Sequence, residues 1–82
     1  MDQTEIFDQV VKILTPYVKN QGALERASLA TNILDDLKVN SARLVDVVLE
    51  FEDVFKIEID DDDVDTVETV GNAVQLIQAK IG

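Results

Sequence analysis

Ser41 stands directly after the loop Asp35-Asp36-Leu37-Lys38-Val39-Asn40 and opens a run, Ser41 to Phe55, whose apolar spacing predicts a helix. A hydroxyl at the start of a helix has two ordinary uses. It can cap the first turn by accepting a backbone N–H, or it can stay exposed as a point of covalent attachment. The chain contains no histidine and no cysteine, so a serine here has no imidazole to activate it as a nucleophile. Asn40 is as good a cap as Ser41, which frees the hydroxyl for attachment. A second cluster, Asp60-Asp61-Asp62-Asp63 with Asp65, invites a calcium-loop reading. Such a loop needs glycine at its sixth position and glutamate at its twelfth. Counted from Asp61 those positions hold Thr66 and Asn72, so the cluster reads as a solvated acidic turn.

The elements that must position Ser41 are helical. Ile6, Val10, Ile13 and Tyr17 share one stripe, with Thr4 as its expected cap, Pro16 as its break and Gly22 as a C-cap. Residues 20–40 show no sustained period and read as a long loop pinned by Leu24, Ala27, Leu29, Ile33, Leu34 and Leu37. In the run after Ser41, Leu44, Val47, Val48, Phe51, Val54 and Phe55 fall within one arc of about 120° and form the expected core face. Val45 and Leu49 fall outside that arc, on the row below Ser41, with Glu52 and Asp53 beside them and Asp46 and Glu50 further round. They are either scattered surface hydrophobes or the apolar centre of an acid-rimmed docking strip. Val64 and Val67 could anchor one short helical turn, and Thr69 should cap a last helix with Val70, Ala73, Val74, Ile77 and Ile81 as its stripe. Ile57-Glu58-Ile59 alternates but has no strand to pair with. The expectation is one all-α domain over residues 1–82, a four-helix bundle of three main helices and one short one.

Composition narrows the partners. Seven basic and seventeen acidic residues give a net charge of −10, which argues against nucleic-acid backbones and anionic membranes and favours proteins with basic patches. No apolar run approaches the roughly 20 residues that span a bilayer, and Met1-Asp2-Gln3-Thr4-Glu5 lacks the order of a signal peptide. A cytoplasmic monomer without membrane insertion is expected.

The stretch Leu34-Asp35-Asp36-Leu37-Lys38-Val39-Asn40-Ser41 resembles the approach to the attachment serine of acyl carrier proteins, an acidic-Leu-Gly-x-Asp-Ser-Leu pattern. Downstream, Val45-Asp46-Val47-Val48 and Phe51 to Ile59 resemble that family's acidic helix, and Thr69 to Val74 the start of its last helix, ungapped from Leu34 to Ile77. The resemblance implies that Ser41 carries 4′-phosphopantetheine, whose thiol holds acyl groups as thioesters for fatty-acid or lipid biosynthesis, and that the chain itself catalyses nothing. It implies as partners a phosphopantetheinyl transferase, then an acyl-ACP synthetase, ketosynthase or acyltransferase with basic patches. They would meet Asp35, Asp36, Asn40, Ala42, Arg43, Val45, Asp46, Leu49, Glu52 and Asp53. It also implies an acyl cavity lined by Val48, Phe51, Phe55 and Ile77. No metal is expected, because no metal-ligand cluster has suitable spacing. Four positions depart from the pattern: Lys38 for glycine, Asn40 for aspartate, Ala42 for leucine, and the cationic Arg43 in the first turn. They point toward a specialised carrier. The rival functions are an unmodified acidic docking module, which would barely notice loss of Ser41, and an aminoacyl or peptidyl carrier of the same fold.

Overall fold

The computed structural model describes residues 2–81. Three long helices carry the architecture: α1 (Gln3–Leu14), α3 (Leu44–Phe55) and α5 (Val70–Ile81), with the short α2 (Gln21–Glu25) and α4 (Asp61–Val64) in the connections. Helix α1 packs chiefly on α5, and α3 lies against both. The protein is therefore all-α, three main helices plus two short ones.

Local chemistry sets most boundaries. Asp2, rather than Thr4, caps α1, its Oδ1 accepting the Glu5 N–H at 2.9 Å. Aspartate is the better cap, and its use starts the helix earlier than expected. Pro16 ends α1 as expected, inside a 3₁₀ turn over Thr15–Tyr17. Gly22 is not a C-cap. It lies inside α2, which Asn20 caps through its Oδ1 and the Ala23 N–H. Five residues are too few to show a helical period, so the sequence could not reveal α2. Thr69 caps α5 as expected, accepting from Asn72 N–H at 3.1 Å. Asn72 Oδ1 accepts in return from the N–H groups of Glu68 and Thr69.

One core runs through the molecule. Ile6, Val10 and Leu14 of α1 meet Val47 and Phe51 of α3 and Val70, Val74 and Ile77 of α5, all essentially buried. The long connection before Ser41 is pinned by Ile33, Leu37 and Val39, which are buried, and by hydrogen bonds from Ile33 N–H to Glu68 C=O (3.0 Å) and Val39 N–H to Ile33 C=O (3.3 Å). An isolated bridge joins Asn32 to Thr69. Leu29, expected as an anchor, is exposed instead. Val54, expected in the core, is 47% exposed. It sits at the rim of the apolar arc in the last turn of α3, where a small error in helical phase decides burial.

Candidate functional site

The chain enters α3 through a 3₁₀ turn, Ser41–Arg43, so the regular helix begins three residues later than the apolar pattern placed it. Asn40 provides the cap. Its Oδ1 accepts the Ala42 N–H at 2.9 Å, and its C=O accepts the Arg43 N–H at 2.8 Å. Ser41 is exposed, and the capping role that competes for its hydroxyl is filled by its neighbour. Preceding it, Lys38 adopts a left-handed backbone conformation, φ 59°. That turn brings the chain from buried Leu37 through buried Val39 to exposed Asn40.

The expected docking strip is exposed at its centre. Val45 is 60% and Leu49 56% accessible on α3 below Ser41, far above the buried valines of the same helix. The carboxylates around them differ in availability. Asp35 and Asp53 are exposed, and Asp53 lies 4.0 Å from Lys56 in a loose pair. Asp46 holds Arg43 at 3.1 Å. Glu52 is half-buried, its Oε2 accepting the Ile59 N–H at 3.0 Å, and Asp36 Oδ2 accepts the Asn32 N–H at 2.8 Å. Glu52 and Asp36 thus shape the backbone while presenting charge.

Of the residues expected to line an acyl cavity, Phe51, Phe55 and Ile77 pack into the closed core, the two rings 6.5 Å apart and tilted by 60°. Val48, also buried, borders an open groove of about 280 Å³. Val45, Leu49 and Glu52 form its α3 wall, and Ile59, Asp61, Val64 and Asp65 the facing one. Helix α4 closes that side. Asp60 and Asp63 cap it reciprocally, and Asp63 reaches Lys80 of α5 at 3.1 Å. The hydrogen bond from Lys80 holds the Asp63 carboxyl below its ordinary value, and the same bond raises the Lys80 ammonium.

A pocket beside Asn40 and Arg43 was not visible in the sequence. Tyr17, Val18 and Lys19 lie more than twenty positions away, yet they share a pocket with Asn40 and Arg43. Asn20 draws them there by hydrogen bonds from its N–H to Leu37 C=O and from its Nδ2 to Asp36 C=O, both 3.2 Å. The Tyr17 hydroxyl donates to Glu50 Oε1 at 2.8 Å, which raises the phenol's pKa.

Among the described residues no cluster of histidine, cysteine or carboxylate side chains could hold a metal, and no helix is long and apolar enough to cross a membrane. What the site does offer is one exposed hydroxyl at the head of a helix and an acidic and apolar strip below it. These fit a covalently attached prosthetic group and do not form a catalytic constellation.

Comparison with known proteins agrees. The phosphopantetheine attachment site family matches residues 21–77. The chain is 38% identical over 80 residues to the acyl carrier protein of Thermotoga maritima, covering 95% of this chain and 94% of that protein. It is 33% identical over 79 residues to the acyl carrier protein of Phenylobacterium zucineum, covering 96% and 98%. A solved structure, from a study of the thermal stability of the acyl carrier protein from Enterococcus faecalis, superposes with a TM-score of 0.79 at 35% identity, covering 98% of this chain and 99% of that one. The chain belongs to the acyl carrier protein family. It is a phosphopantetheine-bearing carrier and not an enzyme. The matched proteins bear the plain name acyl carrier protein, and the specialised role expected above rests on the four departures alone.

Proposed function

We propose that Ser41 is the residue to which phosphopantetheine is attached, and that the strip on α3 receives the enzymes that load and use the carrier. The observation that carries this is the division of labour at the head of α3: Asn40 caps the turn, and Ser41 keeps an exposed hydroxyl. An attachment residue must be reachable by a transferase drawing on coenzyme A, and a serine spent on capping would be less so. When bound, phosphopantetheine supplies a terminal thiol that holds acyl groups as thioesters, which no side chain of a cysteine-free protein can do.

The rest of the reading follows from charge and exposure. Exposed Val45 and Leu49 give a partner an apolar contact. Asp35, Asp46 and Asp53, with the partly committed Asp36 and Glu52, surround them with negative charge that steers and orients a basic surface. Asn40, Ala42 and Arg43 border Ser41 and meet the transferase first. A ketosynthase, acyltransferase or acyl-ACP synthetase of fatty-acid or lipid biosynthesis fits the same strip. For the cargo, the groove between α3 and α4 offers an entrance beside Val48, with Phe51, Phe55 and Ile77 as the apolar floor that an acyl chain would reach if α4 swung outward.

Digestion of the loaded protein and location of the modified peptide by mass spectrometry tests the attachment. The modification is expected on Ser41; its recovery on any other serine or threonine overturns the assignment. For the strip, reversing Asp46 and Asp53 to lysine should weaken a cognate ketosynthase by about tenfold or more at low salt and much less at high salt. Equal affinity at both salts would remove the strip from the interface.

A further inference from the structure

The groove toward α4 is lined by carboxylates, Glu52, Asp61 and Asp65. The pocket bordered by Asn40 and Arg43 is not. Its lining comprises Pro16, Tyr17, Val18, Lys19, Asn40 and Arg43, around a volume of about 400 Å³, and includes two cations and no acid. In a chain with seven basic residues against seventeen acidic ones, that is an uncommon place. Asn40 immediately precedes Ser41 and Arg43 follows it by two residues, so the side chains that border this pocket are within reach of an oxygen-linked phosphate on Ser41.

We propose that Lys19, Asn40 and Arg43 form an anion seat for the phosphate joined to Ser41, and that the pocket behind them takes the first part of the arm. The proposal rests on Ser41 being the attachment residue. A phosphodiester carries a full negative charge, which the carboxylate-lined groove repels and the Lys19–Arg43 corner attracts. Asn40 matters by its chemistry: its Oδ1 is committed to the Ala42 N–H, and its amide NH₂ remains to donate. An aspartate there could only repel. Arg43 spends one nitrogen on Asp46, an exposed i,i+3 pair at 3.1 Å, and a guanidinium has further N–H donors to offer. Of the nearby acids of α3, neither lines the pocket: Asp46 is paired with Arg43, and Glu50 accepts from the Tyr17 hydroxyl and keeps its charge. The walls are fixed before any ligand arrives, by Asn20 to Leu37 and Asp36 and by Tyr17 to Glu50. Two exposed cations bind free phosphate weakly. Tethering through Ser41 raises the local concentration to the millimolar range or above, which is enough.

The test compares loaded and unloaded protein by ¹H–¹⁵N and ³¹P NMR. On loading, the amides of Tyr17, Val18 and Lys19 should shift, and in Lys19→Gln or Arg43→Gln their shifts should fall by more than half while the phosphorus resonance moves. Both side chains are exposed, so neither variant threatens the fold. Inorganic phosphate added to unloaded protein at equal concentration should leave those amides in place; shifts as large as those on loading would mean a general anion sink and overturn the seat. Unmoved amides at Tyr17 to Lys19, with shifts confined to Leu49, Ile59 and Val64, would also overturn it while leaving Ser41 as attachment residue intact. Loading of Ser41→Ala would sink both.

Discussion

Lys38 stands where the resemblance calls for glycine, and its φ of 59° gives the reason. Left-handed backbone costs an L-residue roughly 1–2 kcal/mol, which glycine avoids. Glycine loses about 0.4–1 kcal/mol through the greater freedom of its unfolded chain. The strain outweighs that entropy, so Lys38→Gly should stabilise the protein by roughly 0.5–1 kcal/mol, read as a higher urea midpoint at unchanged slope. A lower midpoint would show that the lysine side chain contributes more than its strained backbone costs. The sequence exposed this position as a departure but not as strain, because dihedral angles follow from where Leu37 and Val39 are buried. The cap supplied by Asn40 was legible, since capping is local chemistry. Lys19 beside Arg43 was not, because nothing in residues 15–20 announces which loop will fold against them.

The two internal glycines behave oppositely at the scale of elements. A Cβ on Gly71, in the first turn of α5, would sit 2.6 Å from the Leu29 carbonyl oxygen, where the chains are drawn together by Gly71 N–H to Leu29 C=O (2.8 Å) and Val70 N–H to Thr31 C=O (2.9 Å). Backbone cannot yield as a side chain does, so Gly71→Ala should cost about 1–3 kcal/mol. Gly22 lies in α2 with its nearest neighbour at 3.7 Å, and Gly22→Ala should gain up to about 1 kcal/mol. Chemical denaturation of both variants checks the pair, and equal effects would contradict the close approach. The long stripes of α1, α3 and α5 were readable from period alone, whereas five-residue α2 and the rim position of Val54 were not. Helix α4 is tied to α5 by Asp63 and Lys80. The lowered Asp63 contributes stability that is full above its ordinary value of 3.8 and fades as pH falls through the depressed one. The raised Lys80 contributes below its ordinary 10.5 and fades as pH rises through the elevated one. Lys80→Met should therefore lower Tm at neutral pH and converge with wild type in strong acid. A Tm difference that stays constant as pH falls through the acid range would assign the effect to packing of the lysine stem.

Across the whole molecule, a net charge of −10 on 82 residues works against compactness. Salt should raise Tm by screening, and magnesium should do so at lower concentration, through diffuse attraction to carboxylates such as Asp61, Asp62 and Asp65. A flat Tm across a magnesium titration would contradict this. The same charge was plain in the sequence. The groove between α3 and α4 and the pocket beside Asn40 and Arg43 were not, since each is built across separate elements of the fold. Together these features fit the proposed carrier, recognised through its acidic surface and modified at one hydroxyl.

That hydroxyl is the point to test. Intact-protein mass should be measured after incubation with coenzyme A, magnesium and a broad-specificity phosphopantetheinyl transferase, for wild type and for Ser41→Ala in parallel. Wild type should gain the mass of one phosphopantetheine and the variant none. An equal gain in both would place the arm on another residue and remove Ser41 from its role.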